Sequence, residues 1–572
     1  MKVRSLFLFL ALVLCVACLS PLGASRAEIV PLSSSVYDDM VFLFRSQNLA
    51  VPSQAKPWSI AEVSMMLSLL NPREMNALES SIFTDIISKT ERNIACSYVL
   101  TPGLSITPEI YAHSNEADFT VDTDWVNGFD SRNPFAKAWL EIGISDFLYT
   151  YGELSYGWGR VTYKDTVVEI NTVDHWSGVG AIVPKSTSHT LIQTHSAIYS
   201  RPVLFNFPDI TMLEIDIPRR AVLALGGSHW FATLSRDKID WGGSHIGNFV
   251  LDSHVDYQDY FRFKAFSDKL SLDIVTMFFE TDYNSANSSI FDGEMQLFLT
   301  HRLEYRPVPR LSFAISENVM YRTPSLELRY FNPAFIFHNL NNSRMFNAIA
   351  HAEVDIAVAN GLGLYGQFVL DQATAPTESA SQAPAWGASI GADFRKVVGY
   401  GILSTNIEFA YTTPMLYRRN HVDFLMFHKY STNKTYKRVL VFDYIGFPYG
   451  GDAQVLQLEV GYDRPSVFSA RIRLQARRHG EMDFYESHNS GGSNEGIPNI
   501  KDKTPYGNEV TDTCIASLYG RYWLPMFWRR LESSIHARLD IVGIHIWTKD
   551  GLSSATEKAD VQFTLGMTLT LR

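Results

Sequence analysis

The hydrophobic pattern of this 572-residue chain changes its period once. Between residue 33 and about residue 90, apolar residues recur three and four positions apart, which predicts amphipathic helices. Ser59 and Glu62 form a capping box at the start of one helix, and Asn71, followed by proline, ends it. We expect three short helices here, with Ser35 capping the first.

From about Leu104 onward the period is two, because apolar residues alternate with polar or charged ones, and this predicts strands. The clearest examples are "EMQLFLTHRLEY" (294–305), "HAEVDIAV" (351–358), "FSARIRLQAR" (468–477), "SIHARLDI" (534–541) and "VQFTLGMTLTLR" (561–572). The charged faces of these segments carry Arg302, Glu304, Glu353, Asp355, Arg471, Arg473, Arg538 and Asp540.

Two architectures produce such alternation. In a soluble sandwich the apolar face is a packed core, whereas in a wide transmembrane barrel it meets lipid and the charged face lines a wet lumen. Aromatic residues cluster near the strand ends, as at the two surfaces of a membrane, and no apolar run after the N-terminus has the length of a membrane helix. We therefore predict a mainly β fold, a transmembrane antiparallel β-barrel of about 18 strands, at about 26 residues per strand and connection. Its lumen charges either stay hydrated or pair with one another.

The N-terminus indicates export. Lys2 and Arg4 precede an apolar run, and small residues follow, which is the pattern of a secretory signal peptide cleaved after Ala27. Lipidation at Cys18 is the weaker alternative. The predicted division is a signal peptide at 1–27, a periplasmic helical region at 28–95 and an outer-membrane β-barrel at 96–572.

The composition is consistent with a membrane barrel, and the net charge argues against nucleic acid as a binding partner. Aromatic residues make up 13% of the chain and charged residues only 19%, and the formal net charge is −11. An acidic exported chain is a poor ligand for nucleic acid, so we expect none. Outer-membrane lipids and the barrel-assembly machinery are the expected partners. Beyond the signal peptide only Cys96 and Cys514 remain; they form no disulfide framework, and whether they pair stays open.

The motif "GGSH" occurs twice and raises the question of catalysis. Ser228 precedes His229, and Ser244 precedes His245, but neighbours on a strand point to opposite faces and cannot act on each other. Neither place has the G-x-S-x-G pattern, and no Cys/His cluster has zinc spacing. We expect glycine turns at strand ends, no enzymatic activity, no metal and no cofactor.

Polar connections of two lengths are expected at the two rims. Long Gly/Ser/Asn/Pro-rich loops on a barrel usually face outward, and they are the expected contact surface. The longest are Asp371 to Trp386, Leu416 to Arg438 and Tyr485 to Val510.

Several segments resemble one family. "WGG" at Trp241, followed by "GNFVL", and the block "ISENVMYRTPSLELRYFNPAF" from Ile315, followed by "GLYGQFVLDQ" from Gly363, are similar to motifs of the Wzi family of capsule-assembly outer-membrane proteins. "YDDMVFLF" and "KPWSIAEVSMML" look like the helical opening of that family.

The resemblance implies an 18-stranded barrel with a periplasmic helical bundle, acting as a lectin that ties capsular or exopolysaccharide to the cell surface. The implied polysaccharide-binding positions are Trp241, Glu317, Tyr321, Asn332 and Asp371. Each also has a structural interpretation, as a membrane-interface aromatic, a turn residue or a lumen acid. A porin-like channel, favoured by the charged lumen, and a surface adhesin, favoured by the long loops, are the alternative functions.

Overall fold

The structure is a computed structural model. It describes residues 25–90, 98–119, 125–128, 131–156, 165–168, 190–196, 203–206, 220–255, 257–279, 295–323, 327–332, 334, 336–337, 346–372, 384–418, 422–431, 438–483, 503–525 and 531–571. Residues 1–24 of the predicted signal peptide, Cys96 and parts of each predicted long loop (373–383, 419–421, 432–437 and 484–502) lie outside this range.

Three helices precede the barrel, as the period of the sequence predicts. They are α1 (Val36–Ser46), α2 (Ile60–Leu67) and α3 (Ala77–Thr90), with a 3-10 helix at Pro72–Glu74. The Ser59 side chain accepts a hydrogen bond from the Glu62 backbone N–H at 3.2 Å, which is the capping bond expected for α2. Ser35 stands at the N-cap of α1 but its hydroxyl makes no capping bond. Asp38 and Asp39 in the first turn supply the favourable negative charge instead.

Most strands form one closed sheet. They are β2 (Tyr98–Ile106), β3 (Glu109–His113), β4 (Ala136–Ile144), β5 (Leu148–Tyr156), β8 (Val203–Phe205), β9 (Arg220–Gly226), β10 (Trp230–Asp237), β12 (Gln258–Phe266), β13 (Leu270–Phe278), β14 (Met295–Val308), β15 (Leu311–Thr323), β16 (Phe346–Ala359), β17 (Leu362–Gln372), β18 (Ala385–Val398), β19 (Gly401–Thr412), β22 (Ala453–Arg464), β23 (Phe468–His479), β24 (Glu509–Trp523), β25 (Leu531–Thr548) and β26 (Thr556–Leu571).

The remaining strands lie outside this sheet. They are the pair β1 (Ala55–Lys56) and β11 (Asp240–Trp241), and the group β6 (Asp165–Val168), β7 (Thr190–Ser196), β20 (Leu425–Ser431) and β21 (Arg438–Tyr444).

The closed sheet is an 18-strand antiparallel barrel, which confirms the predicted fold class. The first and last strands seal it, because β26 pairs with both β2 and β3, so these two segments share one strand position. The short β8 pairs only with β3 among the described residues and is not counted as a separate position, so the twenty segments make 18 strands. All five alternating segments quoted from the sequence fall on its strands: β14, β16, β23, β25 and β26.

The two rims of the barrel differ. Hairpins such as β4–β5, β14–β15 and β22–β23 close with a few residues at one rim, here called the short-turn rim. The start of β2 and the end of β26 lie at this rim, because Leu104 pairs with Leu571. The opposite rim carries the long connections, and in outer-membrane barrels such loops face outward while the short turns face the periplasm.

An apolar belt surrounds the barrel. On β23, Ile472 and Leu474 are about half exposed at 52% and 47%, whereas the inward Gln475 is buried. A soluble protein rarely exposes so large an apolar surface, and lipid is the medium that covers it. The belt includes Leu303, Phe313, Ile315, Val354, Leu364, Phe368, Ile390, Ile407, Phe409, Leu456, Leu518, Ile541, Phe563 and Leu565. The protein is therefore an outer-membrane barrel. Among the described residues, no helix is long and apolar enough to cross a bilayer.

The helical region, described here over residues 28–90, covers part of the short-turn rim, and we call it the helical plug. Its helices share a core that includes Met40, Phe44 and Trp58. Backbone hydrogen bonds join it to hairpin turns, from Ala50 N–H to the Pro309 carbonyl at 2.9 Å and from Gly361 N–H to the Arg45 carbonyl at 2.7 Å. The helical plug is thus hydrogen-bonded to the turns of the barrel.

Candidate site in the barrel lumen

Further segments of the chain enter the lumen from the long-connection rim. Residues 238–255, between β10 and β12, fold inward, and we call them the inner loop. Residues 413–418 and 443–452, between β19 and β22, fold down onto it, and we call them the mouth segments. Together they form the largest apolar core of the described molecule, which includes Trp241, Phe249, Leu416, Tyr417 and Phe447.

The inner loop meets the helical plug at Trp241. The short strands β1 and β11 pair there, with Ala55 opposite Trp241 and Lys56 opposite Asp240. The backbone N–H of Gly242 continues the contact with a hydrogen bond to the Gln54 carbonyl at 3.0 Å. Backbone hydrogen bonds therefore link the helical plug, at the short-turn rim, to the inner loop, which enters from the long-connection rim.

Gly242 permits this arrangement. Its φ is +135°, a backbone conformation that side-chain-bearing residues rarely adopt. A Cβ at this position would lie 2.1 Å from Oδ1 of Asn248 and 2.2 Å from Nε2 of Gln367. The glycine that we expected at a strand end thus allows a close approach inside the lumen.

Glu408 of β19 binds the second "GGSH" through hydrogen bonds. The Ser244 hydroxyl donates to one carboxylate oxygen at 2.5 Å, and the His245 backbone N–H donates to the other at 2.7 Å. The Tyr365 hydroxyl donates to that second oxygen at 2.9 Å. Ser244 therefore holds the inner loop against the wall, and Gly242 and Gly243 directly follow the end of β11.

The first "GGSH" does lie where a glycine turn was expected. It joins β9 to β10 at the short-turn rim, where the Gly227 backbone N–H donates to the Trp230 carbonyl at 2.8 Å. Ser228 accepts a hydrogen bond at 2.7 Å from Arg26, which stands just before the predicted cleavage site after Ala27. The two copies of one motif thus have different structural roles.

Tyr417 joins the mouth segments to the inner loop. Its hydroxyl donates to the Phe249 carbonyl at 2.6 Å and accepts from the Phe447 backbone N–H at 3.0 Å. Its own backbone N–H donates to the Asp371 carboxylate at 2.8 Å. Residues 416–418 and 422–425, expected in an outward-facing loop, are buried in the lumen instead. Their apolar side chains complete the core that covers Trp241.

His254 holds the end of the inner loop. Its Nδ1 lies 2.6 Å from Oδ1 of Asp252, and its Nε2 lies 3.5 Å from Oδ1 of Asp443. Burial acts to lower the pKa of His254, but the two carboxylates outweigh it and raise that pKa from 6.5 to about 10. The imidazolium form is therefore the one that bridges these two acids.

The predicted lumen charges near the helical plug are paired. Arg45 of α1 contacts Asp355 at 2.5 Å and Asp393 at 2.8 Å, and all three side chains are nearly inaccessible to solvent. Arg302 contacts Glu304 at 2.9 Å and also contacts Glu353. Its guanidinium lies 5.9 Å from the centre of the Trp241 ring. Asp355 therefore holds the helical plug, whereas Arg302, Glu304 and Glu353 pair with one another on the wall next to the Trp241 ring.

On the opposite wall the predicted lumen charges Arg471, Arg473 and Arg538 remain accessible, whereas Asp540 is buried. Arg471 contacts Asp38 of α1 at 3.1 Å with a side chain that is 40% exposed. Arg538 contacts Asp540, two residues along the same strand, at 2.7 Å. Arg473 lies half-buried on the same inner wall.

Of the five positions implied by the family resemblance, three are buried and two are accessible to solvent. Trp241 is fully buried, and Tyr321 and Asp371 are 7% and 6% exposed, so none of them offers a surface to a polymer. Glu317 is partly accessible and lies 3.3 Å from Nε2 of His301. Asn332 is exposed, and its side-chain oxygen accepts from the Ala334 backbone N–H at 3.0 Å, as in a turn.

Sequence reasoning missed Arg45, Glu408 and Tyr417 as organising residues. Arg45 carries a signal, because a lone arginine at the end of an apolar helix needs a partner when buried. Glu408 and Tyr417 carry none, since the hydrogen-bond partners named above lie at least 30 residues away in sequence. Among the described residues, no group of His, Cys, Asp or Glu is placed to hold a metal ion.

Comparison with known proteins supports the architecture. No known family and no curated protein matches the sequence. Among solved structures, the chain is similar to Wzi of Escherichia coli, an outer-membrane protein involved in group 1 capsule assembly and described as a carbohydrate-binding β-barrel. The TM-score is 0.54 at 10% identity, over 95% of this chain and 99% of that one.

Two porin-like structures superpose less well. OccAB4 of Acinetobacter baumannii gives a TM-score of 0.35 at 9% identity over 82% of this chain and 98% of that one. OprD of Pseudomonas aeruginosa gives 0.37 at 9% identity over 82% and 95%. The likeness to Wzi therefore concerns a shared fold, the 18-strand barrel, and not a family shown by sequence.

Proposed function

We propose that the protein binds a surface polysaccharide, capsular or exopolysaccharide, at the long-connection rim of the barrel and acts without catalysis. The observation that carries this proposal is the filled lumen. The inner loop and the mouth segments bury Phe249, Tyr417 and Phe447 where a porin would have an aqueous passage. A large solute has no path through that core, so the accessible rim is the working surface.

The shared fold gives independent support, because the Wzi barrel of similar architecture is itself described as carbohydrate-binding. Asn332 and Glu317 are the two implied positions with accessible side chains. Asn332 is exposed in the connection that follows β15 at the long-connection rim, whereas Glu317 lies on the outward face of β15, six residues before the end of the strand at that rim. Glu317 pairs with His301, whose ring centre lies 4.9 Å from that of Phe337 with the two planes tilted by 42°. A carboxylate, an imidazole and an exposed amide are groups that bind sugar hydroxyls by hydrogen bonds.

Binding to the purified, detergent-solubilised protein tests the proposal. The probe is surface polysaccharide extracted from the producing strain, immobilised for surface plasmon resonance. We expect the wild type to bind, and the double variant Glu317→Gln with Asn332→Ala to bind about tenfold or more weakly. Glu509→Gln is the matched control, because it removes an exposed carboxylate at the same rim on β24. No binding by the wild type would contradict the proposal.

A measurement on cells adds a second readout. In a strain lacking the gene, we expect polysaccharide to shift from the cell surface into the medium, with total synthesis unchanged. Unchanged surface polysaccharide in that strain counts against attachment. Restoring the wild-type gene, but not the double variant, should return the polymer to the cells.

A channel is the second candidate, favoured by the accessible charged wall of β23 and β25. Planar-bilayer recording separates the two functions, because a filled barrel passes little current and an open porin passes ions readily. We expect near-silent membranes. Large, steady conductance from the wild-type protein would favour the channel.

A further inference from the structure

The helical plug and the inner loop do not fill the lumen evenly. Against the wall of β12–β14 the inward charged side chains are sealed: Arg262, Lys264 and Arg302 are at most 1% exposed. On the wall of β23–β25 the side chains of Arg471 and Arg538 are 40% and 21% exposed. Solvent therefore reaches a gap between the plug and this second wall.

The gap opens at the short-turn rim. On β24 the inward residues Tyr519, Arg521 and Trp523 are all partly exposed, and Trp523 is the last residue of the strand at that rim. Deeper along β25, Asp540 and Val542 are buried. A small solute on the side of the helical plug can thus enter, and a floor of buried residues stops it.

Six inward side chains line this gap, and we call them the arginine patch: Arg473, Ser517, Tyr519, Arg521, His536 and Arg538. Strand register places them together, with Arg473 opposite Ser517, Tyr519 opposite Arg538, and Arg521 opposite His536. Cross-strand neighbours lie about 5 Å apart and successive inward residues about 7 Å apart. The six side chains therefore converge on an area that one small molecule can span.

Several polar atoms of the arginine patch lack protein partners. Among the described residues, no hydrogen bond reaches Oγ of Ser517, Nδ1 of His536 or Nε of Arg521, although these atoms are inaccessible to solvent. Ser517 is 7% exposed and His536 is 6% exposed. Buried polar atoms are normally hydrogen-bonded, so these positions indicate a missing ligand or ordered water.

The charges of the patch are only partly balanced. Asp540 contacts Nε of Arg538, which leaves the terminal nitrogens of that guanidinium to face the gap. Within the described residues, Arg521 has no acidic partner and its guanidinium lies over the Trp523 ring. Arg473 of β23 stands opposite Glu459 of the neighbouring β22, but these two side chains form no ion pair among the described contacts. Guanidinium groups bind carboxylate and phosphate oxygens in a paired geometry, so an anion suits this place.

Two further groups select for hydroxyls and a ring. Nε2 of His536 lies 2.8 Å from the Glu109 carboxylate, which favours the proton on that nitrogen and leaves Nδ1 as an acceptor. The partly exposed Tyr519 ring offers a flat apolar surface of the kind on which a sugar ring packs. The patch thus combines anion donors, a hydroxyl acceptor and an aromatic face.

We propose that the arginine patch is a binding site for a small hydroxylated anion, a sugar acid or a sugar phosphate, reached from the periplasmic mouth. The site lies at the opposite rim from the proposed polysaccharide surface and shares no residue with it. Failure of either proposal therefore leaves the other standing.

Calorimetric titration of the full-length detergent-solubilised protein tests this site at physiological ionic strength. The probes are glucuronate, glucose 6-phosphate, inorganic phosphate and uncharged glucose. We expect binding of glucuronate or glucose 6-phosphate, with the tighter of the two identifying the anion, and weaker binding of phosphate. Glucose is expected not to bind.

Variants assign the binding to the patch. Arg473→Gln with Arg521→Gln should weaken the sugar anion about tenfold or more. Arg464→Gln is the matched control, because Arg464 is exposed at the same rim but lies outside the lumen, and its affinity should equal that of the wild type. If the double variant loses its folded, heat-modifiable mobility in gels, the two single variants should each weaken binding about threefold.

The overturning results are equally definite. Binding of neither sugar anion by the wild type removes the proposal, and so does equal affinity in the wild type and the folded double or single variants. Inorganic phosphate that binds as tightly as glucose 6-phosphate would overturn the roles of His536 and Tyr519, since those roles require a hydroxylated ring.

Discussion

At the scale of single residues, Arg45 is the side chain that ties the helical plug to the wall most directly. Its guanidinium is enclosed between Asp355 and Asp393, and the Val51 backbone N–H donates to Asp355 at 2.9 Å. Gly363 makes room for it, because a Cβ there would lie 2.1 Å from the guanidinium carbon. Removing one partner from such a group leaves uncompensated buried charge.

Replacement of Arg45 should therefore be costly. Arg45→Met is expected to lower the free energy of unfolding by about 3–5 kcal/mol, because two carboxylates lose their buried cation. Urea unfolding in lipid vesicles measures this. Lys89→Met is the control, since Lys89 pairs with Asp85 on the exposed face of α3 and such pairs contribute about 0–1 kcal/mol. Equal losses in the two variants would contradict the anchoring role.

His254 gives the inner loop a dependence on pH. Its pKa rises from 6.5 in the unfolded chain to about 10 in the fold, so its bridge to Asp252 and Asp443 contributes fully below pH 6.5. That contribution is lost as the pH rises through about 10. The stability difference between wild type and His254→Gln should shrink between pH 6.5 and pH 10, as measured by urea unfolding. A constant difference over that range would show that the charge of the imidazole is irrelevant.

At the scale of elements, the inner loop is the piece that converts an open barrel into a filled one. Its backbone pairs with β1 below, its Ser244 binds Glu408 at the side, and Tyr417 covers it from above. Gly242 lies between the first of these contacts and the residues that make the other two, and its φ of +135° sets the path of the chain there. The loop therefore has one defined position rather than a range of them.

Gly242→Val tests that position. The new side chain would overlap Asn248 and Gln367 at a strained φ, so the inner loop should leave its seat and admit water. We expect planar-bilayer conductance to rise from near silence to measurable channel events. Gly543→Val is the control, because a Cβ at Gly543 meets no atom within 4 Å. Silence in the Gly242 variant would mean that the loop stays in place despite the overlap.

At the scale of the whole molecule, the barrel exists because its two faces meet different media. Ile472→Arg places a charge in the apolar belt, where it should lower stability by about 2–4 kcal/mol in lipid vesicles. Leu552→Arg is the matched control, because Leu552 is 87% exposed in the connection beyond the strands and should tolerate the change. Equal stability of the two variants would argue that the belt does not meet acyl chains.

The sequence by itself determined the barrel, its approximate strand number and the presence of three helices. These features are local: a period of two or 3.6 residues records which face of an element is apolar. Ser59 marks the start of α2, and Asn71, followed by proline, stands between the end of α2 and the 3-10 helix that it caps. The alternation on β14, β16 and β23 likewise separates the belt from the lumen without knowledge of any distant contact.

Only the tertiary structure decided what fills the lumen. Trp241 and Asp371, which the family resemblance placed at a binding surface, are buried, because segments far apart in sequence fold over them. The partners of Arg45 lie 310 and 348 residues away, and no periodic pattern records such a separation. The arginine patch likewise depends on which wall the helical plug leaves uncovered. A local sequence pattern records whether one face of a helix or strand meets an apolar or a polar environment. Which of several polar side chains pair with one another depends on how the whole chain closes into the barrel.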